Sequence, residues 1–324
     1  MLKEVYTQSI CLMNAAVCMY YIEKKTMTEV AETLSISKST VSRLLKRAKD
    51  ENIIQLKIDD STIKCTELEK KIKEKYALKR VLVTPISVEN PENVLEIKKL
   101  VALEGARYIQ RIITDDDIIG LCWGGTMYYL IQYLNPCQKS NSKIVTMHGS
   151  IANCNEKLAV KTLVKRAAMA FGGRNISICN NGLYKTSEEL EKVKSTESYK
   201  KVMYLFENIN ISISGVGSCY PEITTPLAAP NYLTAKEREE LKIEKAYSDI
   251  MLRFIDENGK ECDTSMKNRT LSIDLETYKK IPRKIIVASG PEKVYSVQAL
   301  LNGKLLDVLI IDQNLANALV SQYE

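Results

Sequence analysis

The sequence predicts an α/β fold: an N-terminal helix-turn-helix (winged-helix-like) domain, then a larger domain built on a mainly parallel sheet. Three observations predict it. From Lys79 onward, short continuous apolar runs alternate with segments of helical periodicity, as in buried parallel strands covered on both faces. Residues 10–50 show helical periodicity alone. The charge is also lopsided. The 324-residue chain carries a net +6, and residues 1–80 hold 16 Lys/Arg against 11 Asp/Glu. An anionic polymer would therefore meet the N-terminal part.

The composition is that of an ordinary globular protein, 45% hydrophobic and 27% charged, and the length suggests two domains. No apolar run approaches the ~20 residues of a bilayer span, and MLKEVYTQSI has no apolar signal core. A cytoplasmic protein with no membrane partner is expected. The boundaries read 1–60 for the helix-turn-helix domain, 61–78 for a linker helix and 79–324 for the large domain.

ICLMNAAVCMYYIEK, residues 10–24, is apolar nearly all round and reads as a buried helix. Thr28 is positioned to cap a short helix over Glu29–Leu34. Ser35-Ile36-Ser37 is a tight connection whose Ile36 would plug between two helices. Ser37 caps the next helix, Lys38–Asp50, with Val41, Leu44, Leu45 and Ala48 as its inner stripe. Its outer face carries Lys38, Ser39, Thr40, Ser42, Arg43, Lys46, Arg47 and Lys49. Small hydroxyl and basic side chains at a helix N-terminus suit a recognition helix, which reads base edges while later cations meet phosphates. A solvated basic face would look alike, but the order helix, capped short helix, tight turn, basic helix favours DNA. IIQLKI, Ile53–Ile58, is expected as a β-wing. Leu68, Ile72 and Tyr76 of the linker stand at helical spacing, as in a helix that pairs with its copy or in a solvated spacer. One such unit contacts little DNA, so a homodimer or homotetramer on a two-fold operator is expected.

In the large domain, KRVLVTPIS reads as a strand, and NPENVLEIKKLVALEGARYIQRII as a helix with Pro91 in its first turn. DDDIIGLCW and KIVTMHGS are strands separated by the helix of GGTMYYLIQYLN. EKLAVKTLVKRAAMAFGG is a helix stopped by glycine. The strand RNISIC, the helix STESYKKVMYLFENIN and the strand ISISGVGSC follow. DIMLRFIDENGKEC reads as a hairpin turning at Glu257-Asn258-Gly259. PRKIIVASG, PEKVYSVQALLNGK, LDVLIID and QNLANALVSQ close the chain as strand, helix, strand and helix.

Ligands of such sheets bind outside the C-terminal strand ends. Four ends carry small, turn-forming residues: Trp123-Gly124-Gly125-Thr126, His148-Gly149-Ser150, Gly215-Val216-Gly217-Ser218 and Ser289-Gly290-Pro291. The first is the best anion site. Its glycines let backbone approach a ligand, and the helix from Thr126 points free N–H groups at it. By itself such a turn is more often a packing solution. It is neither a Walker loop nor a G-x-G-x-x-G fingerprint, so no nucleotide cofactor follows. Lys293 could add charge to the same anion, or be a surface lysine.

The nine cysteines form no C-x-x-C pair and sit in apolar segments, which reads as free buried thiols rather than disulfides or a metal site. His148 is the single histidine. A multi-His metal site therefore has no residues to draw on, and Ser-His-Asp chemistry would need His148 itself as the base.

TEVAETLSISKSTVSRLLKRAKDENII, WGGTM, SGVGS, SDIMLRFIDENGK and IPRKIIVASGPEKVYSVQALLNGKLLDVLIID together resemble the SorC family of sugar-binding transcriptional regulators, in the family's order and along nearly the whole chain. The resemblance implies a C-terminal effector domain like sugar-phosphate isomerases and CoA transferases, and a phosphorylated sugar or related metabolite as ligand. It implies a phosphate loop at Gly124, Gly125, Thr126 and Met127 beside Trp123, a turn at Gly215, Gly217 and Ser218, a hydroxyl-binding Asp249 and a cationic Lys293. This chain departs from the pattern at Gly149-Ser150 and Ser289-Gly290, where Gly-Gly is frequent, and at Ser248. His148 stands where some relatives place Arg or Lys, which argues against a bisphosphate or Schiff-base ligand. His148 is read as a ligand contact or as a satisfied loop histidine. The implied function is a regulator whose operator affinity responds to a phosphorylated sugar. The alternative is a sugar-phosphate isomerase-like enzyme with Asp249 or a nearby Glu as base. That reading leaves the basic N-terminal helix unexplained. A third reading, an architectural DNA-binding protein with a ligand-free effector domain, leaves Gly124–Thr126 and Lys293 unused.

Overall fold

The computed structural model describes residues 9–55, 60–86, 93–136, 141–151, 154–178 and 180–323. The chain divides into two units, Met1–Asp59 and Asp60–Glu324.

In the first unit, α1 spans Ile10–Val17 and continues as a π-turn over Cys18–Ile22. The expected burial fails here. Only Met13 and Ala16 of α1 are buried, while Ile10 and Ile22 are 58% and 73% exposed. A unit this small gives each helix one inner stripe, whatever the rest of its surface contains. Cys11 and Cys18 are exposed for the same reason, whereas Cys65, Cys122, Cys219 and Cys262 are buried free thiols. Cys137 and Cys179 lie outside the described residues.

Helix α2 spans Met27–Thr33, and its cap is Thr26 rather than Thr28. The Thr26 hydroxyl accepts from Glu29 N (3.3 Å) and the Glu29 carboxylate from Thr26 N (2.7 Å). This reciprocal capping box satisfies two orphan donors, where Thr28 could satisfy one. Helix α3 spans Lys38–Asp50 under Ser37, whose Oγ accepts from Thr40 N at 3.2 Å. Val41, Leu44, Leu45 and Ala48 are buried as expected, and Ile36 packs half-buried against them. No strand follows at Ile53–Gln55. Instead Asn52 adopts φ 57°, and Ile53 N donates to Ala48 O at 2.9 Å. That is a Schellman stop with Asn in the left-handed position. The rest of the expected wing, residues 56–58, lies outside the described residues.

The second unit runs α4 (Asp60–Tyr76), β1 (Arg80–Thr84), α5 (Val94–Ile112), β2 (Ile118–Leu121), α6 (Gly125–Gln132), β3 (Lys143–Thr146), α7 (Val160–Phe171), β4 (Arg174–Ile176), α8 (Ser187–Lys194), α9 (Glu197–Glu207), β5 (Ile211–Ser214), β6 (Gly217–Ser218), α10 (Ala235–Ile243), β7 (Ser248–Ile250), β8 (Arg253–Ile255), α11 (Leu275–Lys279), β9 (Arg283–Val287), α12 (Val294–Asn302), β10 (Val308–Asp312) and α13 (Gln313–Val320). Strand order in the main sheet is β1-β10-β9-β5-β2-β3-β4, all parallel. Successive strand residues feed opposite faces. Ile285 and Val287 join a core with Val101, Leu130 and Leu163. Ile286 joins another with Ile72, Phe206, Leu300 and Leu319.

Three expectations shift. Helix α5 begins at Val94 under Asn93, whose side chain accepts from Glu96 N at 3.2 Å. Pro91 lies outside the described residues. Helix α8 precedes the expected α9, with Thr196 capping the second of the pair. The expected turn at Glu257-Asn258-Gly259 is present, closing Ile255 against Glu261, but a further hairpin, β7–β8, turns before it at Met251-Leu252, with φ 54° and 65°. Left-handed backbone normally selects Asn or Gly. Here both residues are buried, at 2% and 4% exposure, so packing holds a turn that local propensity resists.

The expected linker helix, α4, packs inside the second unit. Cys65, Leu68 and Ile72 are buried in the core shared with β1 and α13. Tyr76 meets Tyr323 edge-on at 6.0 Å. The Glu69 carboxylate accepts from Val83 N at 2.9 Å, covering a donor on the edge strand β1. The apolar stripe that suggested pairing with a copy is already used. Ile72 is 0% exposed, so Ile72→Ala should lower the unfolding free energy of this unit by about 2–4 kcal/mol. Chemical denaturation of the full chain measures it, and an unchanged midpoint would return α4 to the role of a solvated spacer.

Candidate functional site

A cavity of about 400 Å³ opens at the C-terminal ends of β2, β5 and β9, where parallel sheets place ligands. Its floor comes from the end of β2. Cys122 N still donates to Ile213 O in the neighbouring strand at 3.3 Å. Gly124 then takes φ +124°, a conformation side chains oppose. Tyr128 N donates to Gly124 O at 2.9 Å and starts α6. The N–H groups of Gly125, Thr126 and Met127 lie in the first turn, where a helix offers no acceptor. All three residues line the cavity with Trp123 and Gly124. The result is a backbone cradle at a positive helix end, suited to an anion.

Gly215 and Gly217 line the same cavity. Gly217 pairs with Asp249 across β6 and β7. A Cβ at 217 would collide with Asp249 Oδ1 and Thr225 Oγ1, so glycine is required by the approach of the carboxylate. Asp249 is 6% exposed, and its Oδ1 has no hydrogen-bond partner. Burial pushes its pKa up, against the neighbouring Thr225 hydroxyl and the Lys293 charge. Burial also pushes the Lys293 ammonium down, while Asp249 and Glu292 favour its charged form. An unpartnered buried carboxylate oxygen is costly unless something donates to it. A sugar hydroxyl is such a donor.

His148 is not in the cavity. It is 0% exposed, and its Nε2 accepts from Trp123 N at 3.1 Å while Nδ1–H donates to Gly149 O at 2.8 Å. Burial lowers its pKa to about 4. The ring is therefore neutral and holds the cradle from behind. Cys122, also at the cavity, is pushed up to about 12 by burial, so its thiol stays protonated. The sequence reading missed Lys98 and Thr225 as cavity groups, while Ser289, named at its strand end, does line the cavity. Lys98 sits among ordinary helical charges, and Thr225 in a loop that pattern alone cannot place. Among the described residues no three His, Cys, Asp or Glu side chains could hold a metal, and no helix is long and apolar enough to cross a membrane.

On α3, Lys38, Ser39, Ser42, Arg43 and Lys46 are exposed and Arg47 half-buried. Arg47 pairs with Glu51 at 2.6 Å. Thr40 turns inward instead, 5% exposed, with its hydroxyl 2.8 Å from Ser37 Oγ. It belongs to the cap and not to the outer face.

Residues 60–321 match the family model described as "Putative sugar-binding domain", and residues 14–50 match Sigma-70, region 4. The chain is 29% identical to the deoxyribonucleoside regulator of Bacillus subtilis (strain 168), over 94% of this chain and 95% of that protein. It is 26% identical to the sorbitol operon regulator of Klebsiella pneumoniae, over 93% and 95%. The full-length structure of that regulator, SorC, superimposes with a TM-score of 0.74 at 24% identity, covering 96% of this chain and 99% of that one. The chain belongs to the SorC family of sugar-binding transcriptional regulators. It is a regulator with a DNA-binding helix-turn-helix and a sugar-binding domain, not an enzyme.

The hydrogen bonds to Trp123 and Gly149 give His148 a positioning role to test. Its pKa is depressed in the folded chain, so the unfolded chain binds the extra proton between pH 6.5 and about 4. Stability present above pH 6.5 is lost as pH falls through that window. At pH 5 the loss should be on the order of 2 kcal/mol. Urea unfolding at pH 7, 6 and 5 should show this slope in the wild type and not in His148→Gln. Parallel profiles would show that His148 is protonated in the folded protein.

Proposed function

We propose that the effector is a phosphorylated sugar or a close relative. Its phosphate lies on the Gly125–Met127 amides beside Lys293, and its hydroxyls donate to Asp249. The observation that carries this is the meeting of unpaired opposites in one cavity: first-turn amides on one wall and the unpartnered Asp249 Oδ1 on another. A phosphate satisfies the first, and a polyol the second. A cavity of about 400 Å³ suits a molecule of that size.

The second half of the proposal is regulation. Exposed Lys38, Arg43 and Lys46 meet phosphates of a two-fold operator, with Ser39 and Ser42 near base edges. The protein acts in the cytoplasm as a homodimer or homotetramer. Ligand alters operator affinity by binding one arrangement of the effector units better than another.

Two measurements test this. Trp123 lines the cavity, so its fluorescence should shift, and the melting temperature rise, with particular pentose or hexose phosphates. Deoxyribonucleosides and sorbitol, the compounds in the relatives' names, belong in the same panel. Silence from every phosphate would defeat the phosphate reading. Separately, Arg43→Ala or Lys46→Ala should weaken DNA binding at least tenfold and reduce its salt dependence, with the ligand-induced melting shift intact. A lost ligand response in either variant would contradict the division of labour between the two units.

A further inference from the structure

We propose that Lys98 is a ligand-binding residue, supplying a second ammonium to the effector's phosphate opposite Lys293. The inference deepens the proposed function and rests on its phosphate seat. Lys98 is half-buried on α5 and lines the cavity. It is close enough to Lys293 that its charge disfavours protonation there. The charged groups lining this cavity are Lys98, Lys293, Asp249 and Glu292. Yet among the described residues neither lysine has a carboxylate within 4.0 Å. Two neighbouring cations, both turned to one cavity and both without an ion pair, are held apart from the neutralisation that surface lysines usually find. A dianion between them removes the repulsion and supplies both partners.

The placement of Lys98 is fixed by helix packing, not by a loop. Helix α5 lies directly on α6, the cradle helix, because Gly105 has no side chain: a Cβ there would stand 3.0 Å from Leu130 Cδ1. Both helices descend from the same edge of the parallel sheet. Lys98 is seven residues before Gly105, and Trp123 is seven before Leu130. Helix α5 covers the first interval with two turns, about 10 Å, and α6 covers the second only from Gly125, so both helices lead back from the Gly105–Leu130 contact toward the mouth of the cradle. The next residue, Lys99, is engaged elsewhere, 5.8 Å over the Tyr129 ring. The two adjacent lysines thus have different surroundings, and only Lys98 faces the cavity.

Isothermal titration of the full chain with inorganic phosphate tests this directly. Lys98→Gln should weaken phosphate binding about tenfold, the scale of one charge-assisted contact. Lys98→Arg should stay within about threefold of wild type, and Lys99→Gln should match wild type. The melting temperatures of all variants without phosphate should coincide, which separates ligand contact from folding. Wild-type affinity in Lys98→Gln, or equal weakening in Lys99→Gln, overturns the role of Lys98 while leaving the phosphate seat standing. If wild type itself takes no phosphate, the seat falls and the Lys98 assignment with it.

Discussion

The pocket depends on the point at which strand β2 lets go of its neighbours. A parallel strand spends its amides on the ladder, and a ligand site needs amides that are still free. The changeover happens across three residues. Cys122 N is the last to reach the adjacent strand, at Ile213 O. Trp123 N is out of ladder register, and His148 Nε2 takes it at 3.1 Å. Gly124, at φ +124°, swings the chain so that α6 starts with its unsatisfied turn toward the cavity. Without His148 the Trp123 amide would lose its acceptor. Without glycine at 124 the swing would be strained. The histidine is therefore neutral by necessity: a protonated ring has no lone pair for Trp123.

Around that cradle the side chains keep charges apart. Asp249 and Lys293 influence each other's ionisation, yet among the described residues they form no ion pair within 4.0 Å. Elsewhere this protein does close such pairs. Lys284 reaches Asp307 at 2.7 Å, and Arg253 reaches Glu261 at 2.6 Å, both in buried surroundings where an open pair would be expensive. The contrast is functional. Structural pairs are satisfied internally, whereas the cavity groups are held apart by glycine approach, burial and a tight hairpin, as the proposed ligand site requires. The Met251-Leu252 turn belongs to this device. It sets the end of β7 and is tied down by Ser272, whose hydroxyl donates to Met251 O at 2.5 Å.

Much of this was legible in the sequence. Alternating apolar runs and helical segments gave the parallel sheet, because burial on both faces leaves that pattern directly in the residues. Trp123 to Met127, Gly215, Gly217, Asp249 and Lys293 do converge on one cavity, since strand ends in such a sheet share an edge. What failed has physical causes. Thr26 was passed over because a capping box is recognised by its partner at Glu29, not by the nearest threonine. The turn at Met251-Leu252 carries no turn residues and exists through tertiary packing. Thr40 looked like an outer-face hydroxyl, but a residue at the third position of a capped helix is drawn into the cap. His148 was left open between a ligand contact and a satisfied loop histidine, and the structure shows the second, with the ring turned behind the cradle.

One buried carboxylate links the pocket to the connecting helix. Asp312, 0% exposed, ends β10. Its Oδ1 accepts from Leu315 N at 3.0 Å and so caps α13, while Oδ2 accepts from Gly290 N at 2.7 Å in the turn that carries Ser289 and Lys293. The pocket turn and the start of α13 are therefore held by one rigid group. Helix α13 shares a core with α4 through Ile72, Leu315 and Leu319, and Lys75 lies over the Tyr323 ring at 5.1 Å. Helix α4 begins at Asp60, where the second unit begins. Each link is a packed or hydrogen-bonded contact with little slack, and interiors of this density move in discrete steps rather than by gradual deformation. On the proposed reading, a ligand that pulls on Lys293 would work against a turn fastened, through Asp312 and α13, to helix α4. Under the proposed function, that continuity within the second unit would be the physical means by which an anion in the 400 Å³ cavity bears on helix α4, where the unit begins.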